Sequence, residues 1–387
     1  MRFLPQIIAW LLAVAWVTRT FAALRGLPTI PDLCLPAHDI VPTGAPTITV
    51  IVPARNEQQD IRACLESLLA QDYPTQIIAV DDRSTDTTGA IMDTLASNRL
   101  TPIHIAELPP QWLGKTHAMA VAAATSNSDF LLFTDADILF APSAIRRALA
   151  HAVAERADHL VLSPTLIIRR WDEAMILAFF QFCGLLSTPA WRIADPNSKA
   201  SIGMGSFNLI RSSAYRSIGG FESFPMEIAE DLGLGRRVKQ ARLAQRFVCG
   251  RNLTRVHWAS GARGIVNGVT KNMFSVYGFR VWLSLASCLA LTTCILPFIA
   301  IWFRFLTIPS ALAIAAMFLG YRAVSRITGL SPWNVLLEPF AAAALIYAML
   351  RSIVTTLRQG GVIWRGTFYP LAELRKHTTP FFARPAK

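Results

Sequence analysis

Hydrophobic and polar positions change rhythm several times along the chain. Residues 6–23, QIIAWLLAVAWVTRTFAA, are almost continuously apolar, and the same density returns in VWLSLASCLALTTCILPFIAIWF (281–303), IPSALAIAAMFLG (308–320) and WNVLLEPFAAAALIYAMLRSIV (333–354). A helix needs about 20 such residues to cross roughly 30 Å of hydrocarbon. The segments at 281–303 and 333–354 are therefore expected to be long enough to span, whereas the one at 308–320 reads as short and either re-entrant or extended. The N-terminal stretch, with Arg2 ahead of it and small residues at Ala22 and Ala23, also fits a signal peptide; we read it as an uncleaved anchor.

Between these segments, strands alternate with helices. TITVIVPARNE (47–57) is β-branched and apolar as far as Pro53, and QQDIRACLESLLAQDYP then sets Ile61, Leu65, Leu68 and Leu69 at helical spacing. The strand IIAV (77–80) stops at DDRSTDTT, where Ser84, Thr85 and Asp86 are N-cap candidates for the next helix. A third unit runs from PIHIA through the helix GKTHAMAVAAATS to the strand FLLFT. Repeated βα units predict an α/β fold, a mostly parallel sheet with helices on both faces. Ligands bind such sheets at the carboxyl ends of the strands, where Glu57, Asp82 and Asp135 fall. The expected organisation is an anchor over residues 1–24, an α/β domain over 45–260, an interfacial segment over 261–280, membrane segments over 281–356 and a basic tail over 357–387.

Composition supports a partly membrane-embedded chain: hydrophobic residues make up 53% of the 387, and mean hydropathy is +0.39. The formal charge of +12, from 37 Lys and Arg against 25 Asp and Glu, suits nucleic acid, an anionic membrane or a phosphorylated substrate. Its placement narrows that choice. From Leu232 to Arg280 there are ten Lys or Arg and no acid, a basic collar beside a membrane segment that would attract anionic headgroups at about 1 kcal/mol per residue. No nucleic-acid-binding motif with interleaved aromatics is present, so nucleic acid is not expected as a partner. The six cysteines form no CxxC pair and read as reduced packing residues, which favours a cytoplasmic face.

Candidate chemistry begins at FLLFTDADILF (130–140), where Asp135 and Asp137 leave a buried strand one residue apart. Carboxylates at i and i+2 on such a turn can reach one divalent cation, Mg2+ or Mn2+, which would neutralise a diphosphate. A turn cap at Asp135 and a solvated Asp137 are the structural alternative. What shifts the balance is an ordered series of further acidic motifs at strand ends.

VIVPARNE, VDDRSTDTT, TDADILF, GSFNLIRSSAYRSIGGF and EDLGLGRRVK resemble the motif series of family 2 glycosyltransferases, which have the GT-A nucleotide-diphospho-sugar fold. The likeness covers roughly residues 47–260. LPPQWLGKTHAMAVAAA and the membrane segments at both ends are similar to hopanoid-biosynthesis-associated glycosyltransferases and to bacterial enzymes that glycosylate carotenoid-type lipids. The resemblance implies that Asp82 contacts the nucleobase, with Pro53 and Glu57 bordering the nucleoside pocket, although Glu57 would equally cap a helix at Gln58. It implies Asp135 and Asp137 as the metal-side acids, with Asp135 also facing the donor and Asp137 the direct ligand. Lys115, at a helix start, would face the diphosphate. Asp231, the second acid of EDLGLG, would be the general base, with Glu230 orienting the acceptor or a glycine-rich loop. Acids at a helix N-terminus are also favourable against its dipole, and both roles can hold together.

One feature of processive relatives, a QxxRW motif after the base, is missing; GARGIVNGVTKNMFSVYGF (261–279) stands there, with Asn267, Lys271 and Asn272 on an amphipathic segment. WRGTFYP (364–370) resembles an ending of non-processive relatives, so Trp364, Arg365 and Tyr369 are expected on the acceptor side, unless they form an interfacial aromatic belt. WDEAMILAFFQFCGLLSTPAW (171–191) reads as an interfacial wall for lipid access or as core. Arg351, Arg358, Arg365, Arg375 and Lys376 place the C-terminus in the cytoplasm. With residues 45–260 there too, one of the three C-terminal segments is expected not to span. The combined expectation is a multi-pass enzyme of the bacterial cytoplasmic membrane, its catalytic domain facing the cytoplasm, moving a sugar from a nucleotide-diphosphate donor, UDP-linked by expectation, to a lipid hydroxyl with inversion. Transfer to polyprenyl phosphate and an inactive membrane scaffold are the alternatives.

Overall fold

The structure is a computed structural model describing residues 3–378 and 380. The chain divides into two compact units, one of residues 1–30, 168–191 and 258–362, the other of residues 31–167, 192–257 and 363–387. The second unit is therefore wider than the α/β domain expected over 45–260, because it takes in part of the C-terminal segment and gives up 168–191.

Up to residue 257 the second unit holds the strands β1 (Ile48–Ala54), β2 (Gln76–Asp82), β3 (Leu100–Ile105), β4 (Phe130–Phe133), β5 (Leu139–Phe140), β6 (His159–Leu162), β7 (Thr165–Leu166), β8 (Asn208–Arg211), β9 (Gln245–Val248) and β10 (Thr254–Val256). Seven form one sheet in the order β3-β2-β1-β4-β8-β6-β9. β1 is parallel to β2 and β4, β2 to β3, and β6 to β9; β8 alone runs against its two neighbours. All seven residues of β1 are buried, as a central strand covered on both faces requires. Its side chains alternate between layers. Val50 and Val52 join Ile77, Ala79, Leu132 and Leu160 on one face, and Ile51 joins Ile78, Val80, Phe133 and Ile210 on the other.

Local starts differ from expectation by a few residues. The first helix spans Ile61–Leu69, and Ile61, Cys64, Leu65 and Leu68 are its buried face, so Cys64 takes the place expected for Leu69. That helix starts three residues after Gln58, and the Glu57 carbonyl accepts the amides of Asp60 and Ile61. The helix after β2 begins at Thr88. Of the three cap candidates only Asp86 serves it, its Oδ1 accepting the Thr88 amide at 3.0 Å and hydroxyl at 2.6 Å. The sequence expected as a basic tail holds the strands Gly361–Trp364 and Thr367–Pro370 and the helix Leu371–His377. Arg365 and Gly366 make its turn at φ 47° and 80°, the pair of positive φ values that a two-residue type I′ hairpin needs.

Among the described residues, five segments are long and apolar enough to cross a membrane: Phe3–Thr29, Trp171–Arg192, Val281–Ala300, Thr307–Thr328 and Pro332–Gln359. The segment expected to be short is a 22-residue helix, Thr307–Thr328. Arg322 and Arg326 interrupt its apolar run in sequence, but one turn apart they share an exposed stripe while Tyr321, Ala323 and Val324 are buried. The interrupted segment is instead the preceding one, where the helix Val281–Thr292 stops and Leu296–Ala300 restarts with Pro297 in its first turn. Phe3–Gly26 packs along Thr307–Thr328, with the Thr20 hydroxyl donating to the Ala316 carbonyl at 2.9 Å. Gly320 leaves room there for Phe182, whose ring lies 2.8 Å from where a Cβ would stand. The helix Trp171–Ser187 is a packed element of the first unit: Phe179 and Phe182 are fully buried, and only Phe180 is half-exposed, against Trp258.

Candidate functional site

The carboxyl ends of β1, β2 and β4 open on one edge of the sheet, and their loops carry the motif acids. β4 ends at Phe133, and the Asp135 amide donates to the Gly205 carbonyl at 2.9 Å, fixing the turn. The Gly205 amide donates in turn to Asp231 Oδ2 at 2.9 Å, and the Leu232 amide to Asp231 Oδ1 at 2.7 Å. Glu230 and Asp231 are the first residues of the helix Glu230–Gln240, so the dipole role and the site role coincide. Glycine is required in the 203–205 loop: a Cβ on Gly203 would meet the Asp231 carbonyl oxygen at 1.7 Å, and one on Gly205 would meet Asp135 Oδ2 at 2.3 Å.

Lys115, the second residue of the helix Gly114–Thr125, joins these elements. Its Nζ lies 2.5 Å from both Asp135 Oδ1 and Glu230 Oε1. Burial works against its charge, yet Asp135, Glu230 and Asp231 outweigh it and hold its proton well above the ordinary lysine range. Asp231 is pushed up to about 7 by burial first and Glu230 second, with Lys115 opposing. Of the two acids, Asp231 is the one bonded to the glycine loop, and Glu230 pairs with Lys115.

Asp137 is pushed up to about 7 by burial, with Asp135 and Glu57 adding repulsion. Among the described residues no group of three or more His, Cys, Asp or Glu converges on a metal position. The donor set therefore fits an ion held by two carboxylates that takes its remaining ligands from water and phosphate, the habit of Mg2+. Such an ion would add to the relief that Lys115 and a backbone hydrogen bond already give Asp137.

A second cluster sits beside the first. Asp82, 4% exposed at the end of β2, accepts Arg83 Nε at 2.8 Å and lies 3.9 Å from Arg55. A Cβ on Gly114 would stand 2.0 Å from Asp82 Oδ2. The C-terminal hairpin returns to this place. Arg365 donates to Glu57 Oε1 at 2.5 Å and to the Arg55 carbonyl, and the buried Tyr369 hydroxyl takes a hydrogen bond from the Gly114 amide near Asp82 and Arg83. Trp364 is half-buried on the same hairpin, and Pro53 is buried within β1. The structure thus brings together Glu57, Asp82, Arg365 and Tyr369 in one cluster and Lys115, Asp135, Glu230 and Asp231 in the other, with Asp137 between Asp135 and Glu57. Arg55 and Arg83 were missed, although Arg83 adjoins Asp82 in VDDRS and Arg55 lies two residues before Glu57 in PARNE.

The basic collar is thinner than its sequence. Arg237 lies over the Phe224 ring, Lys239 donates to the carbonyls of Ile193 and Asp195, and Arg246 pairs with Glu155. Of the six cysteines, all free, Cys34 is exposed rather than packed.

Residues 49–219 match the family described as glycosyl transferase family 2. Similar curated proteins are the 4,4'-diaponeurosporenoate glycosyltransferases of Staphylococcus aureus strain MRSA252, 26% identical over 49% of this chain and 50% of the relative, and of Staphylococcus haemolyticus strain JCSC1435, 24% identical over 59% and 61%. The chain spans about half the length of the curated relatives it matches. Among solved structures, the mannosyltransferase PcManGT from Pyrobaculum calidifontis in complex with GDP-Man and Mn2+ is 18% identical, with 91% of this chain and 99% of that one covered and a TM-score of 0.48. Staphylococcus aureus TarS 1–349 is 17% identical over 83% and 95%, with a TM-score of 0.37.

Proposed function

We propose that this chain, whose residues 49–219 are a family 2 glycosyltransferase domain with a GT-A-like mixed sheet, transfers a sugar from a nucleotide-diphosphate donor, UDP-linked, to the hydroxyl of a long-chain lipid with inversion. The observation that carries the reading is Asp231, a half-buried carboxylate held by two backbone amides beside Lys115, Asp135 and Glu230. A hydroxyl attacking the anomeric carbon must lose its proton as the new C–O bond forms and the nucleotide diphosphate leaves. Asp231 meets the requirement of a base, because burial has raised its proton affinity and each oxygen keeps a second lone pair beyond its amide bond. One displacement from the face opposite the leaving group inverts the centre.

Lys115 carries a positive charge on the diphosphate side, and its ammonium can turn from Asp135 toward a donor phosphate. Asp82, with Arg55 and Arg83 fixing it, offers a carboxylate to the nucleobase; the hairpin bearing Arg365 and Tyr369 borders the same pocket. A divalent cation on Asp135 and Asp137 would neutralise the departing diphosphate. The lipid class follows from likeness to relatives named for diaponeurosporenoate and from the five apolar helices. Orientation in the cytoplasmic membrane, with the catalytic unit inside, follows from the C-terminal basic residues.

Detergent-purified protein, offered UDP-, GDP- and dTDP-linked sugars with a long-chain isoprenoid alcohol, is expected to form a glycolipid from one donor. Asp231→Asn should lower turnover by about 10²–10⁴-fold while still binding nucleotide. Undiminished turnover in that variant would remove Asp231 as the base, and transfer to a polyprenyl phosphate alone would replace the hydroxyl acceptor.

A further inference from the structure

A cavity of about 500 Å³ opens in the first unit between the helices Trp171–Ser187, Gly261–Val276 and Glu338–Gln359. That size lies within the range of ligand cavities, roughly 300–1,000 Å³. Helical spacing assembles its wall. Arg263 and Asn267 stand one turn apart on one helix, Ala344, Tyr347 and Arg351 follow at i, i+3 and i+7 on another, and Met175 with Ile176 close the apolar side. Arg351 donates to Asn267 Oδ1 at 2.6 Å. That bond ties the two helices and leaves the Asn267 amide N–H₂ free to donate.

No lining residue is acidic. Acids are scarce throughout this unit, where Asp172, Glu173 and Glu338 are the only ones. Asp172 is bonded to Arg170 and to the Ala262 amide, Glu173 accepts the Arg169 and Gly261 amides, and Glu338 is fully buried. Two guanidinium groups and an amide thus line one cavity with Met, Ile, Val and Ala side chains, between two segments of membrane-crossing length, Trp171–Arg192 and Pro332–Gln359, and the shorter helix Gly261–Val276. Guanidinium forks match planar or tetrahedral oxyanions bidentately.

We propose that this cavity binds an acidic amphiphile, a hydrocarbon chain ending in a carboxylate or phosphate, with Arg263 and Arg351 holding the anionic end. Two sources share that chemistry: a single-chain lipid acid, and the headgroup of an anionic phospholipid. Neither depends on the sugar-transfer reading.

The test is lipid binding by native mass spectrometry of the full chain in neutral detergent, where membrane anchoring plays no part. The probes are oleate, oleyl alcohol, dioleoyl phosphatidate and dioleoyl glycerol. Each acid is compared with its neutral partner in the wild type and in Arg263→Gln/Arg351→Gln, with the thermal unfolding transition as the control that the protein is folded. The wild type is expected to favour at least one acid over its neutral partner by about tenfold or more, and the double variant to lose that preference with its unfolding transition unchanged. Preference for oleate alone assigns the single-chain source, and preference for phosphatidate alone the headgroup. Equal binding of acid and neutral partner in both pairs overturns the proposal, as does a preference that survives in the double variant. A second variant, Asn267→Ala, should keep the preference in reduced form, because both arginines remain.

Discussion

Lys115→Ala removes the one cation among Asp135, Glu230 and Asp231. Taking one partner from a buried ion pair costs about 3–5 kcal/mol, because the charges left behind are uncompensated. The Lys115 side chain is 27% exposed and Asp135 37%, but Glu230 only 10%. Solvent relieves part of the loss on the Asp135 side, which lowers the cost to about 2–3 kcal/mol, at or below the bottom of that range. For a domain of 150–250 residues each kcal/mol shifts Tm by about 2–4 °C, which puts the expected fall at roughly 4–12 °C. The remaining acids then repel one another, so a divalent cation should recover more stability in the variant than in the wild type. Thermal unfolding in detergent, with and without Mn2+, measures both quantities. An unchanged Tm, or equal Mn2+ stabilisation of the two proteins, would refute the reasoning that Lys115 serves as the resident counter-charge of the cluster.

Other consequences follow from particular contacts. His159 is buried with Nε2 donating to Asn208 Oδ1 at 3.0 Å and Nδ1 accepting Gln245 at 2.8 Å, and burial pushes it down from 6.5 to about 4. The unfolded chain therefore binds this proton first, so stability should fall as pH drops from about 6.5 to 4, by up to about 3 kcal/mol. Denaturant titrations at pH 7 and pH 5 should differ in the wild type and differ less in His159→Gln. Arg365→Ala, which frees Glu57, should raise donor KM several-fold, on the order of 1 kcal/mol, with kcat little changed in steady-state kinetics. Phe179→Asp, at a fully buried position, should abolish folded protein by size-exclusion chromatography, whereas Phe180→Asp, at a half-exposed one, should not.

What was legible in the sequence was local. The continuous apolar, β-branched run at residues 48–54 and its counterparts gave the strands, and each motif acid fell on a strand end or helix start because turn chemistry and backbone amides act over a few residues. The bonds that complete the site are long-range. Arg365 meets Glu57 across 308 positions, and no periodicity encodes that meeting; only the likeness of WRGTFYP to related endings hinted at it. That Asp231 rather than Glu230 bonds the 203–205 loop was hidden for a similar reason: it depends on which acid the helix start turns toward that loop. Helix length at 307–328 was misjudged because Arg322 and Arg326 look like breaks in a linear reading, whereas on a helix they occupy one exposed stripe. The burial of Trp171–Ser187 reflects contacts made by its neighbours, which its own composition does not specify.

The most direct test of the site is calorimetric titration of the detergent-purified chain with UDP, GDP and dTDP, with and without Mn2+, beside Asp137→Ala. The expected result is Mn2+-dependent binding of UDP, lost in the variant while its unfolding transition persists. Binding of UDP that is indifferent to Mn2+ and to Asp137, or no binding of any nucleotide by folded protein, would contradict a metal-bridged diphosphate at Asp135 and Asp137.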